Sequence, residues 1–153
     1  MRNTTICLLL KDGSVLLAMK KRGYGVGKWN GVGGKAADGE SIEETTIRET
    51  EEEIGVTPTR LTKVATINFL FPPDQQSDHQ CFVFTCDQWK GTPSESEEMR
   101  PVWFPLDKIP YKDMWESDRL WLPKILNGQK MTVTVRSDAN DKMVGYEELP
   151  NRV

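Results

Sequence analysis

The chain has 153 residues, with 20 Lys and Arg against 23 Asp and Glu for a formal net charge of −3. That length suits one domain, taken as residues 1–153, with a sizeable core. The charge gives no basic field for tracking a nucleic-acid backbone, and no apolar run approaches the ~20 residues of a membrane span, so neither nucleic acid nor membrane is an expected partner.

The apolar start up to Leu10 is too short, and too soon followed by Lys11-Asp12-Gly13, to be a secretory signal. Cys7, Cys81 and Cys86 are odd in number and lack metal-ligand spacing. They read as buried thiols in a reducing compartment, which places the chain in the cytoplasm. Thr4 to Leu10 is a run of strand length. Asp12-Gly13 is a turn signal and Val15 to Met19 a second strand, which together predict a hairpin. Lys20-Lys21-Arg22 leads into the glycine-rich stretch from Gly23 to Asn30. Gly39 ends the next segment, and Ser41 with Glu44 is a capping box opening a helix that stops at Gly55. Leu61 to Phe71 reads as a strand ended by Pro72-Pro73, and Gln80 to Cys86 as another. Gly91 to Glu98 is a polar loop, and Val102 to Phe104 a short strand. Lys112 to Leu126 predicts a second helix that Pro123 should kink or break. Met131 to Arg136 and Met143 to Tyr146 alternate apolar and polar about Asp138-Ala139-Asn140-Asp141, a closing hairpin.

The first helix carries the chemistry. Glu49, Glu52 and Glu53 fall three and four apart, so one helix face collects three carboxylates. Like charges at that spacing repel by roughly 0.2–0.5 kcal/mol per pair. Two readings follow: a solvated acidic face, or oxygen ligands for a hard divalent cation. Arg48, four residues before Glu52, can hold one carboxylate in place. Gly31, Gly33 and Gly34 just upstream allow backbone oxygens to come close to an ion.

The pattern G-x5-E-x7-R-E-U-x-E-E-x-G-U is met by Gly34, Glu40, Arg48, Glu49, Glu52, Glu53, Gly55 and Val56, with Thr50 where an aliphatic residue is usual. It resembles the signature of the Nudix hydrolases. The stretches Lys20–Gly25, Gly27–Gly31, Gly91–Pro101 and Phe104–Trp115 resemble the oxidised purine nucleoside triphosphatases, the MutT homologues that cleave 8-oxo-dGTP and 2-hydroxy-dATP to the monophosphate and pyrophosphate. The resemblance implies an α+β fold, the Nudix α/β/α sandwich with a mixed central sheet. It implies a monomer acting on a small nucleotide with Mg2+, or Mn2+ in its place. Glu49, Glu52, Glu53 and the Gly33 carbonyl would hold the metal, and Glu98 would complete the site. Arg48 and Glu40 would support it. Which of Glu52, Glu53 and Glu98 acts as the base stays open.

The same resemblance implies that Asn30 hydrogen-bonds the base and Trp115 stacks on it. Tyr24, Phe69, Phe71 and His79 would line the slot, with Thr5 and Lys20 towards the sugar and phosphates. Tyr24 and His79 stand where Phe and Met are usual. Past Trp115 the subfamily carries two aspartates that read the purine edge; here Ser117 replaces one and Asp118 fills the other. The alternatives are a Nudix pyrophosphohydrolase for a methylated or unmodified nucleoside triphosphate or a dinucleotide, and a non-catalytic nucleotide-binding module.

Overall fold

The turn at Asp12-Gly13 starts a hairpin that parts almost at once. Arg2–Lys11 (β1) and Ser14–Lys20 (β2) pair antiparallel only at Leu10↔Val15 and Lys11↔Ser14. The expected hairpin is therefore a stub. From Arg2 to Leu9, β1 instead pairs parallel with His79–Lys90 (β5), while β2 takes Met99–Pro105 (β6) and the two-residue Trp29–Asn30 (β3). Thr57–Leu70 (β4), Met131–Ser137 (β7) and Met143–Leu149 (β8) extend the other side, giving the order β3-β2-β1-β5-β4-β7-β8 with β6 on β2. The computed structural model describes residues 1–149.

Helices cover both faces of this mixed sheet, as the sandwich requires. Cys7, Leu8 and Leu9 are all buried because consecutive strand residues face opposite layers and both layers are filled. Cys7, Leu9, Leu16, Val56 and Cys86 pack with Ile54 of the helix Ile42–Ile54 (α1). Leu8, Leu17, Ile67, Val83 and Val133 pack with Trp121, Leu122 and Ile125 of the helix Asp118–Leu126 (α2). Leu9 and Leu17 have no exposed surface, so each contributes roughly 1.5–3 kcal/mol of transfer free energy. All three cysteines are free and buried, as the sequence reading has them.

Both ends of α1 are capped as expected. Glu44 N–H donates to Ser41 Oγ and Ser41 N–H to Glu44 Oε1, each at 3.1 Å. Gly55 adopts the left-handed conformation at φ 74°, and its N–H reaches the Glu51 carbonyl. The core-facing side is unusual in being threonine: Thr45, Thr46 and Thr50 are all fully buried. Their hydroxyls donate to carbonyls one turn back, Thr46 to Ile42 and Thr50 to Thr46 at 2.7 Å, and Thr45 to Ser41 at 2.9 Å. That local pairing removes the cost of burying a hydroxyl. It explains how Thr50 occupies an aliphatic position.

The second helix differs from expectation. A 3₁₀ turn spans Tyr111–Asp113, Met114 is extended (φ −126°, ψ 173°), and α2 starts only at Asp118. Burying Met114 in the core interrupts the helix. Pro123 marks no break: α2 runs through it, with Pro123 and Arg119 both on the exposed side, so the loss of one intrahelical bond is tolerated.

Gly33 is pressed against β1. A Cβ there would stand 1.8 Å from the Thr5 carbonyl oxygen and 2.6 Å from its carbon. Backbone in a sheet cannot yield as a flexible side chain can. Gly33→Ala is predicted to cost about 1–3 kcal/mol or more, read as a lower denaturant midpoint at unchanged slope. An unshifted midpoint would show that the contact relaxes freely.

Candidate active site

One guanidinium organises the acidic face of α1. Arg48 Nε and Nη2 donate to the two Glu40 oxygens at 2.7 and 3.0 Å. Its Nη1 donates to Glu49 Oε1 at 3.0 Å and to Glu52 at 3.3 Å, and Nη2 also reaches the Lys35 carbonyl at 3.2 Å. Arg48, with help from the Ala37 backbone and Thr45, holds the Glu40 carboxyl down at about 2. Glu49 is tucked against Gly34, where a Cβ would come within 2.4 Å of its carboxyl carbon. Glu52 is largely exposed on the far side of Arg48.

Glu53 is the buried member. Desolvation first, then the Glu49 charge, push its carboxyl up to about 8; Glu98 adds to the rise and Lys20 opposes it. Glu49, Glu98 and Lys20 therefore lie near enough to Glu53 for their charges to act on it. Glu98 comes in from the β5–β6 loop, held by Arg22 at 3.3 Å. Among the described residues, no three acidic, His or Cys side chains are already gathered as a ligand cluster; Arg48 engages Glu49 and Glu52. Two features nonetheless fit a hard cation. Glu53 Oε2 is sealed from solvent and bonded to nothing. The Val32 and Gly34 carbonyls accept from Cys7 and Thr5, while the Gly33 carbonyl between them accepts no backbone hydrogen bond. A buried carboxylate oxygen and a free carbonyl are ligands that Mg2+ or Mn2+ favours.

Gly33 and Gly34 also border a cavity of about 800 Å³, within the range of small-molecule sites. Thr5, Lys20, Tyr24, Asn30, Phe69, Phe71, His79, Trp115, Ser117 and Asp118 all line it, so every residue expected at the base and sugar is brought there. Their roles differ in detail. Asn30 Oδ1 accepts from Gly31 N–H at 2.8 Å, which leaves its amide N–H groups for the cavity. Trp115 already carries Tyr24 stacked at 5.3 Å and the Lys28 ammonium 4.9 Å from its ring centroid. Tyr24 is 69% exposed, so it borders the rim instead of lining a closed slot. His79 stacks on Phe69 and Phe71, and its Nδ1 lies 3.0 Å from the Ser77 carbonyl, which fixes the proton on that nitrogen. Burial keeps the His79 pKa below the ordinary value.

A NUDIX domain model matches residues 1–125. The chain belongs to the NUDIX family. It is 44% identical over 144 residues to the oxidized purine nucleoside triphosphate hydrolase of Mus musculus, covering 93% of this chain and 90% of that one. It is 42% identical over 143 residues to the Danio rerio protein of the same name, covering 94% and 91%. The mutator MutT protein of Bacillus halodurans has a similar structure, with a TM-score of 0.86 at 26% identity over 99% of this chain and all of that one.

Some residues of the cavity wall in this NUDIX protein were not legible in the sequence. Trp121 reads there as helix core, yet it lines the cavity with an unpaired, buried Nε1. Lys28, over Trp115, sits in a stretch that resembles the subfamily but carries no separate signal. Val135, Ser137 and Met143 wall the cavity from the closing hairpin, beyond where the resemblance fades. Glu116 spends one oxygen on the Met143 backbone N–H at 3.1 Å and so ties that hairpin to the site.

Asp118 yields a pH prediction. Burial raises its carboxyl from 3.8 to about 7, against the Trp115 backbone and Lys28; Cys81 and Tyr111 share its surroundings. An acid whose folded pKa exceeds its unfolded value binds a proton on folding. Its contribution to stability is full below the unfolded value and is lost as pH rises through the folded one. Asp118→Asn cannot ionise. The melting temperature of the parent should therefore fall relative to Asp118→Asn between about pH 4 and pH 7. Parallel curves would show that Asp118 does not titrate in this window.

Proposed function

We propose that this NUDIX protein hydrolyses oxidised purine nucleoside triphosphates, of the 8-oxo-dGTP and 2-hydroxy-dATP type, to the monophosphate and pyrophosphate. It does so with Mg2+, or Mn2+, as a monomer in the cytoplasm. The observation that carries the reading is continuity. The Gly33 carbonyl, which accepts no backbone hydrogen bond among the described residues, and Gly34, packed against Glu49, both border a cavity able to take a purine, so the acidic face of α1 and the cavity meet at one glycine segment. The names of the vertebrate relatives, matched over nine-tenths of their length, support the substrate class.

Each residue then has a task. Glu49, Glu52, Glu53, Glu98 and the Gly33 carbonyl would hold the metal, which when bound neutralises phosphate charge and polarises a water. Arg48 fixes Glu49 and Glu52 through its own pairing with Glu40, so the ligands are oriented before substrate arrives. Lys20 offers positive charge between Glu53 and the cavity, where the phosphates would pass. Thr5 would meet the sugar. Asn30 and Asp118 would bond the purine edge, while Phe69, Phe71, His79 and Trp115 supply the apolar walls. Gathering substrate and ligands in one geometry is most of what phosphoryl chemistry needs from a protein.

Two measurements test this. Glu53→Gln keeps the shape and removes the charge, so turnover at limiting Mg2+ should fall about 10²–10³-fold, whereas Glu51→Gln, exposed and off the site, should match the parent. Turnover by Glu53→Gln within a few-fold of the parent would remove Glu53 from the metal site. Anion-exchange chromatography of the products should show pyrophosphate and the nucleoside monophosphate. Orthophosphate as the first product would reject the assigned bond.

A further inference from the structure

Three polar atoms of cavity-lining residues are sealed from solvent and bonded to nothing: Thr5 Oγ1, Asp118 Oδ2 and Trp121 Nε1. Asp118 and Trp121 are three residues apart on α2 and so share a helix face. Both are at least nine-tenths buried, with 4% and 2% exposed surface. They differ in what they can accept from a ligand. A carboxyl group either donates or accepts, according to its proton. An indole N–H only donates.

Among the described residues, nothing supplies the acceptor that Trp121 lacks. Ser117 precedes it by one turn and carries a hydroxyl that could accept, yet Nε1 forms no bond to it. A buried donor left without a partner is costly, so whatever fills this end of the cavity is favoured if it brings an oxygen. An amino group placed there would set donor against donor. The Asp118 carboxyl beside it can adapt to either group, and so cannot remove the demand made by the indole.

We propose that Trp121 is a specificity-determining residue: its N–H, with Asp118 beside it, selects oxidised purines that carry a carbonyl oxygen at the deep edge, the 6-oxopurines, over those that carry an amino group there. This rests on the function proposed above and narrows it to one class of base. Ser117, which stands where the resemblance implies a second acid, gives the indole no bond. An aspartate at that position would offer the indole an acceptor from within the protein and relax the selection.

The test compares kcat/KM for 8-oxo-dITP and 8-oxo-dATP, which share the oxidised position, sugar and triphosphate and differ at position 6 as carbonyl against amino. The parent should prefer 8-oxo-dITP by roughly 10–100-fold, and Trp121→Phe should bring the two within about threefold, chiefly by losing the carbonyl substrate. Ser117→Asp should also narrow the ratio, by gaining the amino substrate. Trp121 is buried, so if Trp121→Phe does not fold, the parent ratio and Ser117→Asp decide. Equal use of both substrates by the parent, or an undiminished ratio in folded Trp121→Phe, overturns the inference and leaves the proposed function standing. Failure of the parent to cleave any oxidised purine triphosphate, while cleaving a dinucleotide, overturns both.

Discussion

The site depends on the divided pairing of β1. Along one edge it is bonded to β5 from Arg2 to Leu9; along the other it holds β2 for only two residues. The unpaired part of that second edge has exposed N–H and C=O groups, which a buried strand cannot leave unsatisfied. The Val32–Gly34 segment meets that need with bonds to Thr5 and Cys7. Its close approach requires a residue without a side chain at Gly33, since a Cβ would collide with the Thr5 backbone. The parting of β1 from β2 thus opens the cavity and turns the Gly33 carbonyl free. The same glycine segment sits against Glu49, so the acidic face of α1 and the cavity share one wall.

The helix α1 faces two environments and solves each with local chemistry. Towards the sheet it presents threonines whose hydroxyls bond their own helix. Towards solvent it presents carboxylates that repel one another and are gathered by Arg48. Neither face depends on a large apolar stripe. The helix is held instead by its capping box, its glycine stop, and Ile54 at its end. Glu53, the buried acid of this helix, is held largely protonated by burial and by the Glu49 charge, its carboxyl pushed up to about 8.

The cavity concentrates unsatisfied polarity. Among the described residues, Thr5, Asp118 and Trp121 of its lining each bury a polar atom without a partner, in a molecule whose other buried threonines are paired. Unsatisfied groups lower stability and raise the value of a ligand that completes them. The rest of the cavity wall is braced. Asp78 accepts from the Phe71 N–H, Ser77 orients His79, Glu116 ties down the β8 end and Gln75 bonds the Ala139 carbonyl. The walls are therefore ordered while the groups that would read the base stay free.

The sequence by itself determined what is local. Helix α1 follows from Ser41, Glu44 and Gly55, whose capping and left-handed geometry need no distant partner. The spacing of Glu49, Glu52 and Glu53 follows from the helix repeat, and most strands follow from their apolar runs. The resemblance to a known family supplied residues far apart in the chain, and the fold does bring Thr5, Asn30, Phe69, His79, Trp115 and Asp118 to one cavity. Only the tertiary structure decided the remainder. The main partner of β1 is β5, with β2 held at only two residues, because strand pairing is a contest between segments that no single segment records. The second helix starts at Asp118, because core burial of Met114 outweighs a continuous helical pattern. Trp121 is cavity wall as well as core, because helical periodicity tells which face is buried but not what that face borders.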